Sequence, residues 1–174
     1  MKRIVFNDNN IKEEDVEFEA IRVKGIVINS KNEVLIAHNN NTYQFIGGHV
    51  EKEEDITDAL ERELKEETGI CNYEINGPFM LIENYLDSYF NVQKIVHSKI
   101  YYYIIKTEDL PNIDNTNYDI LEQQTDFKLF YIGLESLPNF LKDALKKDMI
   151  EEIIYKEMIL VIEEFNRIYG GVEY

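Results

Sequence analysis

The chain has a single cysteine, Cys71, in 174 residues, so no internal disulfide can form and no thiolate zinc centre can be assembled. A small buried thiol in a reduced compartment is the expectation for Cys71. Tryptophan is absent, and 12 Tyr and 9 Phe supply the aromatic bulk of the core instead. Only three prolines occur, and no Pro- or Ser-rich linker or internal repeat divides the sequence. One domain spanning residues 1–174 is therefore expected. Basic side chains are scarce, 18 against 34 acidic ones, for a formal charge of -16. Such a surface lacks the positive footprint that duplex nucleic acid or anionic lipid requires. It does not exclude a small anionic ligand, because bound cations invert the field locally. No apolar run approaches the ~20 residues that cross a bilayer. The start, Met1-Lys2-Arg3-Ile4-Val5-Phe6-Asn7-Asp8, meets acid and amide before a signal core develops. A cytoplasmic protein without a membrane partner is expected.

What is present is a change of periodicity along the chain. Residues 1–16 read as an N-terminal extension. Residues 17–29 carry Phe18, Ala20, Val23, Ile26 and Ile28 in a β-rich run, then the turn Asn29-Ser30-Lys31-Asn32, then Val34 to Ala37 as a return strand. Tyr43 to Ile46 is a short strand entering Gly47-Gly48. From Asp55 to Thr68 the apolar residues Ile56, Leu60 and Leu64 recur at helical spacing, with Asp55 as N-cap and Gly69 at the C-cap. Tyr73 to Leu86, Lys94 to Lys106 and Phe127 to Ile132 predict strands, and residues 149–168 an amphipathic C-terminal helix. Asn39 to Asn41 and Asn112 to Asn117 read as loops. Strands, one inserted helix, more strands and a closing helix imply an α+β domain. The tail helix can bury Ile153, Ile154 and Val161 on its own domain or across a homodimer.

The chemistry-bearing stretch runs Gly48-His49-Val50-Glu51-Lys52-Glu53-Glu54, then Arg62-Glu63-Leu64-Lys65-Glu66-Glu67-Thr68-Gly69-Ile70. At about 100° per residue, Glu66 and Glu67 fall on either side of Glu63, so three carboxylates share one helix stripe. Like charges at this spacing repel by roughly 0.2–0.5 kcal/mol per pair. Solvent can offset that, as on any acidic helix face. So can a hard cation with a preference for oxygen, and Mg²⁺ suits an open cluster that leaves room for water and phosphate.

This stretch resembles the Nudix box, Gly-x5-Glu-x7-Arg-Glu-U-x-Glu-Glu-x-Gly-U, where U is a bulky aliphatic residue. Gly48, Glu54, Arg62, Glu63, Leu64, Glu66, Glu67, Gly69 and Ile70 fill every specified position. A chance match is on the order of one in a million. Tyr43-Gln44-Phe45-Ile46-Gly47-Gly48 occupies the place of the family's Trp-x-Leu-Pro-Gly-Gly lead-in, and Phe130 to Leu137 resembles its last strand running into a helix.

The resemblance implies a Nudix-type α/β/α sandwich with a mixed β-sheet and the box loop-helix on one side. It implies Mg²⁺- or Mn²⁺-dependent hydrolysis of a phosphoanhydride bond, in a nucleoside diphosphate linked to another group or in a nucleoside triphosphate, by metal-activated water. Glu63, Glu66 and Glu67, with a backbone carbonyl at Gly47 or Gly48, would be the metal ligands. Glu66 or Glu67 would be the general base, with Glu122 or Asp126 as alternatives. Arg62 would complete the catalytic group and brace the loop through Glu54, Gly48 and Gly69 would permit backbone conformations that other residues resist, and Gly47 would be structural. His49, Tyr85 and Glu122 are candidates for substrate contact. His38 and His97 have no metal-ligand spacing around them and read as structural or exposed. A catalytically silent nucleotide-binding regulatory module with the same fold is the alternative function.

Overall fold

The computed structural model describes residues 1–39, 42–88, 93–117 and 127–170. In chain order it contains β1 (Lys2–Phe6), a 3₁₀ turn at Glu13–Asp15, β2 (Phe18–Ile28), β3 (Glu33–Asn39), β4 (Thr42–Gln44), α1 (Ile56–Thr68), β5 (Glu74–Leu86), β6 (Val96–Lys106), a second 3₁₀ turn at Ile113–Asn115, β7 (Lys128–Gly133), α2 (Leu137–Lys146) and α3 (Glu152–Tyr169). The strands form one mixed sheet in the order β1-β5-β6-β2-β3-β4, with β7 on β3. The β1–β5 and β2–β6 pairs are parallel, and β5–β6 and β2–β3 are antiparallel.

Strand alternation divides the apolar side chains between the two sheet faces. Val23, Val27, Leu35, Tyr103 and Ile105 point to one face, where Ala59, Leu60 and Leu64 of α1 cover them. Ile26, Ile28, Phe45, Tyr102 and Ile104 point to the other, covered by Leu137 and Leu141 of α2 and by Met158, Val161, Ile162 and Phe165 of α3. The result is an α/β/α sandwich of the α+β class, with α1 the one helix on its side of the sheet among the described residues.

Three features differ from what the sequence pattern suggests. Lys2–Phe6, inside the stretch read as an extension, pairs with β5 and forms the sheet edge. Cys71 is exposed rather than buried. The chain leaves α1 through a left-handed Gly69 (φ 67°) and anchors with Ile70, which turns the next residue outward. The tail helix starts at Glu152, packs on its own sheet through Val161, and leaves Ile153 52% exposed.

Two buried acids fasten α3. The Lys24 ammonium, 2% exposed on β2, donates to Glu157 Oε1 at 3.0 Å, and the Tyr102 hydroxyl donates to the same oxygen. Burial pushes the Glu157 carboxyl up, but Lys24 and Tyr102 outweigh it and hold the group below the ordinary carboxylate range. Removing one partner of such a pair strands the other in an apolar surround. Glu157→Ala should therefore cost about 3–5 kcal/mol in urea unfolding, and Lys24→Met combined with Glu157→Leu should recover most of that loss.

Glu164, 1% exposed, takes hydrogen bonds from Arg167 at 2.6 and 3.0 Å and lies 3.1 Å from Lys2 Nζ of β1. The Arg167 hydrogen bonds outweigh burial and, with Lys2, hold its carboxyl at about 2 against an ordinary 4.5. A carboxyl depressed in the folded state contributes stability above its unfolded pKa and loses it as acid protonates the folded form. The contribution should be whole above pH 4.5 and disappear as pH falls toward 2. Thermal melts across that range should show a shallower acid limb for Glu164→Gln than for the wild-type chain.

Candidate active site

The glycine pair is positioned by the sheet. β3 pairs with β2 only at Val34 and Leu35, then diverges and turns back through β4. The chain after β4 returns along the vacated edge of β2. Gly25 N–H donates to Ile46 O at 2.8 Å, Val23 N–H to Gly48 O at 2.9 Å, and Val50 N–H to Ile21 O at 2.9 Å. Gly47 sits at φ 132°, and a Cβ there would lie 2.2 Å from the Val23 carbonyl oxygen. Only glycine accepts both conditions. At Gly48 an added Cβ would meet Glu63 Oε1 at 2.4 Å, so the absent side chain is the space that the Glu63 carboxylate occupies.

α1 delivers the acids because both its ends are fixed. Asp55 caps the first turn by accepting from Thr57 N–H at 2.9 Å, and Gly69 N–H closes the last turn on Lys65 O at 2.9 Å. The loop of residues 112–117 completes the C-terminal end: Asn112 N–H donates to Thr68 O at 2.8 Å and Asn117 N–H to Glu66 O at 3.0 Å. These two bonds satisfy carbonyls that a helix end otherwise leaves open.

Arg62 organises the carboxylates. Its Nε and Nη2 grip Glu54 at 2.8 and 3.0 Å. Nη1 donates to Glu63 Oε1 at 2.8 Å and to Glu66 Oε2 at 3.1 Å, and Nη2 also donates to the His49 carbonyl at 3.0 Å. Glu51 N–H adds a 2.8 Å bond to Glu54. Arg62, hydrogen-bonded first of all by Glu54, holds that carboxyl below the ordinary range, and Arg62 itself is raised. Glu67 is 3% exposed and accepts from Gly47 N–H at 2.9 Å, which ties the helix to the glycine turn. Glu63 thus abuts Gly48 and Glu67 binds the Gly47 amide, while Glu66 joins Glu63 through the Arg62 fork, and every one of these side chains offers oxygen. That set fits a hard divalent cation.

Of the other candidates, His49 borders this cluster through its backbone carbonyl and Tyr85 belongs to a different group. His49 is an exposed loop residue bridged to Arg22 of β2. Partial burial, then the Arg22 and Lys24 charges, push its imidazole below 6.5. Tyr85 is half-buried; its ring stacks on His97 with centroids 4.2 Å apart, and its hydroxyl donates to Glu13 Oε2 at 2.7 Å. Glu122 and Asp126 lie outside the described residues. His97 is buried and structural in the sense that Glu83 holds it, but acids surround it.

The feature that residue spacing did not reveal is a cleft of about 570 Å³ on the α3 side of the sheet. Arg22, Lys24, Gln44, Asn84, Ser98 and Glu157 are among its walls. Arg22 Nε is buried there without a hydrogen-bond partner among the described residues. Arg22 is the strand neighbour of His49, so the cleft opens beside the glycine loop.

A glutamate-bearing capped helix, set against a Gly-Gly turn on a mixed sheet, defines a protein of α/β/α architecture. The family profile described as the NUDIX domain matches residues 19–151, and the chain belongs to the Nudix family. Among solved structures it is similar to a C. elegans Ap4A hydrolase in a binary complex, at 18% identity and TM-score 0.53, covering 88% of this chain and 98% of that one. It is also similar to the E. coli dihydroneopterin triphosphate pyrophosphohydrolase, at 14% identity and TM-score 0.52, covering 68% and 84%. At these identities the likeness concerns the fold. No curated protein matches the sequence significantly.

The glycine contacts make a paired expectation. Gly47→Ala should destabilise the fold by about 1–3 kcal/mol, because strain at that φ adds to a backbone clash. Gly48→Ala should keep the fold and displace Glu63, so that Mn²⁺ affinity in calorimetry drops at least tenfold while the melting temperature moves little.

Proposed function

We propose that the chain hydrolyses a phosphoanhydride bond in a nucleoside diphosphate linked to a further group, or in a nucleoside triphosphate, with Mg²⁺ or Mn²⁺ as the required cation. The observation that supports this most is that Arg62 holds Glu63 and Glu66 together while Glu63 fills the space beside Gly48 and Glu67 binds the Gly47 amide. Those glutamates would hold the cation. The Gly48 carbonyl, already accepting from Val23 N–H, retains a second lone pair for the same purpose. When bound, the divalent cation would neutralise charge on the diphosphate and make water a stronger acid.

The protein's own groups supply position and proton transfer. Arg62 keeps Glu63 and Glu66 from splaying apart, and the Gly47 amide fixes Glu67. The Glu66 side chain, 32% exposed against 14% for Glu63, is the acid best open to water and is the base we favour. Glu67, enclosed at 3%, sets geometry. The substrate beyond the reacting phosphates would extend into the cleft beside His49. There Lys24 is neutralised by Glu157, which leaves Arg22 as the cation best placed for a phosphate oxygen.

A panel of nucleotide sugars, dinucleoside polyphosphates, ADP-ribose and nucleoside triphosphates, incubated with Mg²⁺ and analysed for released nucleotide, tests the proposal. Glu66→Gln should lower kcat by about 10²-fold or more. Arg22→Ala should raise KM by about tenfold or more, the worth of a charged hydrogen bond, with kcat within a few-fold of wild type. Tight nucleotide binding with every ligand recovered intact would instead favour the silent regulatory module.

A further inference from the structure

On the α1 side of the sheet, at the starting ends of β2 and β6, a second set of metal-ligating atoms converges. Strand register puts Glu19 of β2, His97 of β6 and Tyr85 of β5 in one row, because Glu19 pairs with His97 and His97 with Tyr85. Glu13, from the 3₁₀ turn that follows β1, closes over this row. His97 is 3% exposed. Its Nε2 lies 2.7 Å from Glu83 Oε2, and Glu83, itself 1% exposed, also accepts from Arg3. With Nε2 turned to Glu83, the Nδ1 edge of the ring is the one left to face other groups.

That Nδ1 is buried and makes no hydrogen bond among the described residues. It points at two carboxylates, 3.5 Å from Glu19 Oε1 and 3.8 Å from Glu13 Oε1. One ligand atom from each residue lies within 4.8 Å of the other two. Ligands about 2.1 Å from a tetrahedral zinc ion stand roughly 3.4 Å apart, so the nitrogen-to-oxygen distances need to close only slightly. The outer contacts are those that orient ligands at metal sites: a carboxylate on the far nitrogen of the histidine, and a Tyr85 hydroxyl at 2.7 Å on the second oxygen of Glu13. One contact competes, since Lys99 Nζ donates to Glu19 Oε1 at 2.5 Å. Lys99 is partly exposed, and Glu19 has a second oxygen.

We infer that His97 Nδ1, Glu13 and Glu19 form a binding site for a late first-row divalent cation such as Zn²⁺, separate from the box glutamates. A nitrogen with two carboxylates and one position open to solvent is a zinc-type donor set, unlike the all-oxygen set on α1. A cation there would join the turn after β1 to the first residues of β2 and β6, and so tie the N-terminal segment to the sheet.

The test is a Zn²⁺ titration of the full chain against a chromophoric chelator, with the box ligands removed by Glu63→Gln, Glu66→Gln and Glu67→Gln. One Zn²⁺ per chain should still bind. Glu13→Gln or Glu19→Gln in that background should weaken it at least tenfold, and His97→Gln should abolish it. Glu13 and Glu19 are exposed, so their variants report even if loss of the buried histidine disturbs folding. If the triple box variant does not fold, the same two substitutions in the wild-type chain, titrated in millimolar Mg²⁺, should remove one Zn²⁺ equivalent. Absence of Zn²⁺ uptake once the box ligands are gone, or uptake indifferent to Glu13→Gln and Glu19→Gln, would overturn the inference and leave His97 as the centre of an ion-pair cluster.

Discussion

One guanidinium carries the candidate site. Arg62 has five N–H donors, and all are committed: two to Glu54, one each to Glu63 and Glu66, and one to the His49 carbonyl. Those acceptors come from three places in the chain, the acidic loop, the helix and the glycine turn. Without the fork, neighbouring glutamates on one stripe would repel and turn toward solvent. A lysine could not replace it, because a point charge on a flexible stem cannot hold planar, divergent contacts at once. An ion pair of this kind fixes geometry more than it stabilises. That suits a site whose task is to keep oxygens in place.

The same logic extends to the rest of an acid-rich chain. With 34 acids and 18 bases, even one-to-one pairing would leave nearly half of the carboxylates to water, yet Glu67, Glu83, Glu157 and Glu164 are buried. Each has a donor of its own: the Gly47 amide, Arg3 with His97, Lys24 with Tyr102, and Arg167 with Lys2. The scarce cations stand where burial would otherwise leave a charge unpaired. A strongly negative composition thus coexists with a sheet whose two faces are apolar, because the enclosed negative groups are individually compensated.

Much of this was legible in the residues themselves. Asp55 and Gly69 mark the ends of α1, the Leu60 and Leu64 spacing marks its buried stripe, and Arg62, Glu63, Glu66 and Glu67 run from its middle to its last turn. These are local relations, fixed by helix geometry within a few turns. What was not legible depends on partners far apart in sequence. Nothing near Arg22 announces that it lies beside His49, and nothing near Lys24 announces Glu157, more than a hundred residues later. His97 looked isolated because its neighbours, Glu13, Glu19, Glu83 and Tyr85, come from three other elements. Metal-ligand spacing along a chain cannot register a row that exists only across strands. β1 was hidden differently: a short edge strand carries no alternation long enough to separate it from a tail.

β2 shows how tightly these relations depend on one register. Its odd-numbered residues, Glu19 and Val23, face α1, while Lys24 and Ile26 face α3. Its edge simultaneously holds the returning glycine loop through Val23 and Gly25. A slip of one residue would reverse every side chain. Lys24 would leave Glu157, Glu19 would leave His97, and the Val23 carbonyl would no longer lie under Gly47. The parallel pairing with β6 along the whole of Phe18–Ile28 opposes that slip. So do Val23 and Val27 on one face and Ile26 and Ile28 on the other, because exchanging them would also carry Lys24 from its acid partner into the apolar layer beneath α1. The same hydrophobic alternation that builds the core therefore sets the glycine turn, and through it the carboxylates, in place.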